Sequence, residues 1–169
     1  MEEINRFIDK SSNIIANKGL TEENLGLIAS DLRILALKSK YWLDNYKMAK
    51  HSEELLYPII SHRKSGIALY LVSDAPGVKS PPHSHQTWAI IAGISGIELN
   101  HFYKLIDGNE KKVQKISSIL VNRGDVIVMK NFEIHSTEVI GSIPSFHLHL
   151  YGQNLELLPE FSERTFLSY

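Results

Sequence analysis

The chain has 169 residues and no cysteine, with 43% hydrophobic and 22% charged side chains; this is the composition of an ordinary folded protein, and it excludes disulfides, thiolate metal ligands and a cysteine nucleophile. Eighteen basic against nineteen acidic residues give a formal net charge of −1, with no dense lysine or arginine cluster, which argues against a nucleic-acid partner. No apolar run reaches the roughly 18 residues a membrane span needs, and the N-terminal MEEINRFIDKSS lacks a basic-then-apolar export pattern, so the expectation is a cytoplasmic protein with no membrane partner.

Residues 1–57 read as a helical segment. Thr21 is placed to cap a helix whose first turn carries Glu22 and Glu23, and Leu25, Ile28, Leu32 and Leu35 recur at helical spacing. A second helical run is expected from Tyr41 to Lys50. Ser52 would cap a short third piece, SEELLY, stopped or bent by Pro58.

After Pro58 the period changes. Ile67 to Ser73 is dense and strand-like, and Asp74 to Pro82 is a turn-rich link. Trp88 to Ile94 and Ile97 to Leu105 are strands joined near Gly93–Gly96, and Asp107–Gly108 marks a hairpin turn. Lys112 to Ile116 and Ile119 to Val121 follow; the turn Asn122–Arg123–Gly124–Asp125 leads to Val126–Met129, and Ile134–Val139 and Phe146–Tyr151 complete the set. Many short strands with regular Gly, Asp and Asn turns argue for a β-sandwich or barrel. The division is one domain over 1–169: a helical segment at 1–57, a barrel at 58–152 and a tail at 153–169. The tail's Leu155, Leu157, Leu158, Phe161 and Phe166 suit packing on the barrel or on a second copy in a homodimer.

Five of the eight histidines (His83, His85, His135, His147 and His149) fall among the strand-like runs. His83 and His85 are two apart, so on a strand they share a face and make a natural pair of metal ligands, although an HxH pair on a solvated face is nearly as common. Pro81–Pro82 restrain the chain entering them. RGDVIVMKNFEIH would return His135 from a distant strand. Three neutral nitrogens leave open positions on an octahedral ion such as Fe(II). His147, His149 and Tyr151 also share one strand face by alternation. Trp88, Phe102 and Met129 read as core. His101 has the opposite parity to Glu98 and Asn100 and reads as exposed, and His51 and His62 have no supporting pattern.

The string GVKSPPHSH…G…RGDVIVMKNFEIH resembles the two motifs of the cupins. The usual first motif also carries a glutamate four or five residues after its second histidine. Ala89 and Ile90 stand there, and Glu98 reads as too far along to replace it. A site of three histidines without a carboxylate resembles the cysteine-dioxygenase branch, including bacterial 3-mercaptopropionate dioxygenase-like proteins. HQTWAI at 85–90, GISGIELNHFY at 93–103 and HLHLYG at 147–152 resemble segments of that branch; the likeness spans Ile67 to Gly152. It implies a mainly β cupin fold, a double-stranded β-helix or jelly-roll barrel with an N-terminal helical segment. It implies Fe(II) on His83, His85 and His135, with Ni, Zn or Mn as other divalent occupants, and a dioxygenase that converts a small thiol and O2 to a sulfinate.

In the branch a serine, a histidine and a tyrosine form a relay beside the metal. His149 and Tyr151 match the last two and are implied catalytic residues, while His147 stands at the serine position, as an altered relay member or a strand-face histidine with no role. The arginine that holds the substrate carboxylate in the branch is missing: the corresponding stretch is Leu56–Tyr57–Pro58, with Arg63 the nearest candidate and Arg123 at a hairpin tip. Tyr57 is then a candidate to line the site in its stead. Three alternatives remain: the same cage acting on a non-thiol substrate, a non-enzymatic cupin that binds a metal or small ligand, and a structural protein with no metal, against which the three-histidine layout argues.

Overall fold

The computed structural model describes residues 2–39 and 43–168. Helix α1 (Glu2–Lys18) buries Ile4, Phe7 and Ile8 along one stripe. Glu2 and Glu3 open it and Lys18 closes it, in agreement with the helix dipole. Gly19 ends it in the left-handed region at φ 81°, its N–H returning to Ile15 O at 3.0 Å. Helix α2 (Glu22–Leu37) begins as expected, with the Thr21 hydroxyl oxygen accepting from Asn24 N at 3.2 Å; Leu25, Ile28, Leu32 and Leu35 are all buried.

The helical expectation fails after residue 42. Leu43–Asn45 is a single 3-10 turn and residues 46–50 have no regular structure; Tyr41 and Trp42, where the second helix was expected to begin, lie outside the described residues. SEELLY is not a helix either, because strand β1 runs over Glu54–Ser61, straight through Pro58. Pro58 is tolerated since β1 is the outermost strand of its sheet, with one side free of a neighbouring strand among the described residues. A register shift between Pro58 and Ile60 absorbs the irregularity.

Nine further strands follow: β2 (Ala68–Asp74), β3 (His83–Ser84), β4 (Ala89–Ser95), β5 (Ile97–Ile106), β6 (Asn109–Val121), β7 (Val126–Met129), β8 (Ile134–Ile140), β9 (Ser145–Tyr151) and β10 (Leu167–Ser168). They form two five-stranded sheets, in the orders β1-β2-β9-β4-β7 and β10-β6-β5-β8-β3. Pairing is antiparallel throughout except for β10 on β6. The fold is mainly β, a curled cupin-like barrel with a helical segment in front. The two strands expected at Lys112–Ile116 and Ile119–Val121 are one, β6; a register shift opposite Phe102 and Tyr103 passes over Ile116 without breaking the pairing with β5.

Two turns are as expected. Gly108 sits at φ 74° between β5 and β6, and at 122–125 the Asp125 carboxylate accepts from Asn122 N at 2.9 Å, with Gly124 at φ 82°. Gly93 lets that turn lie against β4: its N–H donates to Asp125 O at 3.0 Å, and any Cβ there would collide with the Asn122 carbonyl.

The core has two parts. One lies outside the first sheet, where Ile4, Ile8, Ile28 and Leu32 of the helices meet Leu69, Leu71, Ile90, Leu148 and Leu150. The other lines the barrel interior and contains Ala68, Tyr70, Ile91, Met129 and Tyr151. Each fully buried Leu or Ile side chain contributes roughly 1.5–3 kcal/mol. The helices therefore supply the apolar cover that releases the interior face of the sheet to carry polar groups.

Candidate metal centre and its cavity

His83 and His135 are directly opposite one another in the β3–β8 pair. His85 lies just past the end of β3, where Gln86 turns the chain in the left-handed region at φ 55° with its N–H on Ser84 Oγ at 3.1 Å. The turn keeps His85 beside His83, their ring centroids 4.8 Å apart and nearly perpendicular. The three histidines are buried, and their ligand atoms lie within 4.8 Å of one another.

The hydrogen bonds behind the rings favour one tautomer. His83 Nδ1 donates to Pro81 O at 2.9 Å, and His135 Nδ1 donates to Asn100 Oδ1 at 2.9 Å, which leaves both Nε2 lone pairs free. His85 Nε2 faces His135 Nε2 at 2.9 Å. Two imidazole nitrogens that close need a shared proton or a cation between them. Burial, first of all, holds His83 at about 4 and His85 and His135 well below the usual imidazole range, with the neighbouring histidines adding to it for His85 and His135. Three neutral, convergent, buried nitrogens fit a divalent metal ion.

Behind His135 runs a buried polar chain. Asn100 Nδ2 donates to Glu98 Oε1 at 2.9 Å, and Glu98 Oε2 lies 3.4 Å from His147 Nδ1. That last approach is not a hydrogen bond: neither atom has a partner of acceptable geometry, and burial keeps the His147 ring neutral, near 4. Glu98 is fully buried and its carboxyl is pushed up to about 7, chiefly by desolvation. Glu98 does not take the place of the motif glutamate as a ligand, yet it stands behind the cage through Asn100. Its distance along the chain sets Glu98 apart from the motif, but β5 lies beside β8 and returns it to the site.

His149 and Tyr151 come together as alternation on β9 predicts, with His149 Nδ1 2.8 Å from the Tyr151 hydroxyl. The Tyr151 ring lies 4.7 Å from that of His85, and burial raises its pKa, so the hydroxyl keeps its proton. His149 Nε2 and both nitrogens of His147 are buried without a hydrogen-bond partner among the described residues.

These groups border a cavity of about 410 Å³ between the sheets, which the triad shares with Leu56, Val72, Asp74, Glu98, His149, Tyr151 and Arg164. Arg164 is the residue that sequence reasoning missed altogether. It comes from the tail, is buried, and donates through Nε to Pro159 O and through Nη1 to Ser84 O, both at 2.9 Å. Its guanidinium lies over the Phe161 ring, which itself packs 5.1 Å from His83. The other arginine candidates are elsewhere: Arg63 and Arg123 are exposed at turns. Tyr57 is turned out of the cavity, its hydroxyl on Lys47 O at 3.1 Å and its ring against Tyr46. Trp88 and Met129 are buried core and Phe102 packs beside the inner core; His101 bonds Ser118 Oγ on the outer side, at 2.7 Å.

No protein-family model matches the chain, and no curated protein is similar to it in sequence. Solved structures do resemble it. Oxalate oxidase, studied in complex with the substrate analogue glycolate, superposes with a TM-score of 0.51 at 18% identity, over 64% of this chain and 55% of its own. This chain thus spans about half the length of that enzyme. An uncharacterised protein with a double-stranded β-helix domain from Klebsiella pneumoniae gives 0.50 at 16% identity, over 64% and 80%. Peruvianin-I, a cysteine peptidase from Thevetia peruviana latex, gives 0.52 at 11%, over 65% and 69%. Proteins with such different titles share the architecture, and the likeness therefore speaks for the fold alone: this chain has the cupin-like double-stranded β-helix.

Proposed function

We propose that the protein is a metal-dependent enzyme that acts on a small polar molecule bound beside His83, His85 and His135. The observation that carries this reading is three neutral, buried imidazoles converging on the wall of a cavity whose other polar groups are only partly partnered. A metal on three neutral nitrogens supplies Lewis acidity and, if the ion is Fe(II), one-electron chemistry with O2.

The chain's own residues do the rest. Pro81 O and Asn100 orient the ligand rings. Arg164, anchored on two backbone carbonyls, presents positive charge to the cavity and suits an anionic group of the ligand. Tyr151 and His149 hold one proton between them at 2.8 Å. If Tyr151 donates, His149 Nε2–H is left to donate; if His149 Nδ1 donates, the Tyr151 hydroxyl is left. In either tautomer one donor remains for the ligand; if the pair gives up that proton as a general acid, it is left with a single negative charge shared across the hydrogen bond.

A thiol dioxygenase is the second reading, favoured by the His149–Tyr151 hydrogen bond beside the triad, the arrangement that the sequence resemblance implied. It asks Arg164 to do from the tail what an early-strand arginine does in that branch. The test is oxygen uptake by protein loaded anaerobically with one Fe(II), offered small thiols and matched non-thiol acids and alcohols. Uptake indifferent to thiols supports the first reading, and uptake with a thiol, lost in His135→Ala, supports the second. One tightly held metal and no uptake with any compound would overturn oxidation chemistry and leave a metal or ligand binder.

A further inference from the structure

The end of the cavity away from Arg164 has the opposite character. Glu54 and Asp74 are directly opposite one another in the β1–β2 pair, and Glu98 reaches the same space from the facing sheet. Like charges directly across a strand pair repel. No lysine or arginine among the described residues forms an ion pair with any of the three. The electrostatic neighbours of Asp74 are Glu54 and Glu98, both acids. Two of these side chains are more than nine-tenths buried and have an oxygen with no hydrogen-bond partner: Asp74 Oδ1 at 5% residue exposure and Glu98 Oε2 at 0%. A buried carboxylate oxygen without a donor is costly, and here two occur in the wall of one cavity with a third acid at its mouth.

Among the described residues, the histidine triad is the group of three such side chains whose ligand atoms converge as a metal ion requires, and the three acids do not form another. A wider set of acceptors suits a cation that brings its own N–H donors. The cavity wall between the two ends is aliphatic, with Leu56 opposite Val72 one pleat further along from Glu54 and Asp74. Glu98 lies four residues along β5 from Phe102, which is level with His135. Along the strand these positions are roughly 13 Å apart, at ~3.3 Å per residue, and the Asn100 side chain bridges between them, bonded at 2.9 Å to both Glu98 and His135.

We propose that Glu54, Asp74 and Glu98 form a subsite for an organic ammonium group, so that the ligand of this cavity is an amine whose aliphatic body lies on Leu56 and Val72 while its other end meets the histidine triad. The proposal rests on reading the cavity as the substrate site and names the class of molecule it takes. It separates two functions in space: charge recognition by carboxylates at one end, and chemistry at the imidazoles at the other.

The test uses n-pentylammonium, with n-pentanol as its neutral isostere and valerate as an anion of similar length. Each is titrated into metal-free and metal-loaded protein, followed by backbone amide shifts. The expected result is that pentylammonium binds at least tenfold more tightly than pentanol, shifts amides of β1, β2 and β5, and loses that advantage in Asp74→Asn. Glu98→Gln, which keeps an oxygen for Asn100, is expected to weaken it by a similar factor and guards against Asp74→Asn failing to fold. Equal binding of the amine and the alcohol, or undiminished amine binding in both variants, would overturn the subsite. Metal stoichiometry, measured separately, keeps the two readings apart. Amine selectivity without metal uptake would sink the enzyme reading and leave the subsite standing, and metal uptake without amine selectivity would do the reverse.

Discussion

The two faces of strand β9 are equally buried and chemically opposite. Phe146, Leu148 and Leu150 point outward into the apolar layer beneath the helices, while Ser145, His147, His149 and Tyr151 point into the barrel. The outer face is completed by its contacts. The inner face keeps imidazole nitrogens and the Ser145 hydroxyl unpartnered among the described residues. Burial alone thus does not separate core from site; unpartnered polarity at a buried period of two does.

Substitutions can break that comparison. The largest effect is expected from Leu148→Ala on the outer face: a fully buried leucine under two helices should cost about 2–5 kcal/mol, read as a lower denaturant midpoint at unchanged slope. On the inner face the metal-free protein should answer to pH instead. Asp74 is pushed up to about 8 and Glu98 to about 7, mainly by desolvation, against ordinary carboxylate values when unfolded. Below about pH 6.5 the buried histidines, held under their ordinary range, act in the opposite sense. Above it, where imidazoles are neutral folded or unfolded, the folded state binds more protons through the two acids, so stability should fall as pH rises from about 6.5 to 8, by roughly 1–3 kcal/mol in all. Asp74→Asn should flatten that slope; an unchanged slope would mean that the two acids meet no such penalty.

Asn100→Leu should lower metal affinity about 10–100-fold, because His135 loses the acceptor that sets its tautomer, and should also lower stability, because Glu98 loses its donor. Unaltered affinity, by competition with a chelator, would remove Asn100 from the support of the cage. The smallest effect is expected far from the cavity: Thr21→Ala removes the α2 cap and should cost about 1 kcal/mol with no change in metal affinity.

What was legible in the sequence follows the same division. The strands after residue 66 announced themselves by alternation and turn residues, and HSH with a late FEIH was enough to name three residues that the fold brings together. The signals that failed were local ones read without their partners. SEELLYP looks like a helix stopped by proline until it is seen as an edge strand, where the alternate exposure of Glu54, Leu56 and Pro58 has period two. Glu98 lies thirteen residues beyond His85 in the sequence, and only the β5–β8 pairing brings it, through Asn100, behind His135. Asp74 reads as part of a turn because it ends β2. No pattern in the last ten residues marks Arg164 as a cavity residue; its place depends on the tail lying along β3, with Phe166 N on Pro82 O at 2.8 Å.

That tail contact also divides the site by origin. His83 and His135 are paired within the barrel, whereas Phe161 and Arg164 come from residues some 80 positions beyond the strand they cover. The tail is nevertheless tied to that strand: Phe161 packs 5.1 Å from His83, Arg164 holds Ser84 O, and Thr165 bridges to His83. One short segment thus walls the cavity and braces the strand that carries His83 toward His85, so a change in the tail is felt at the cage as well as at the wall.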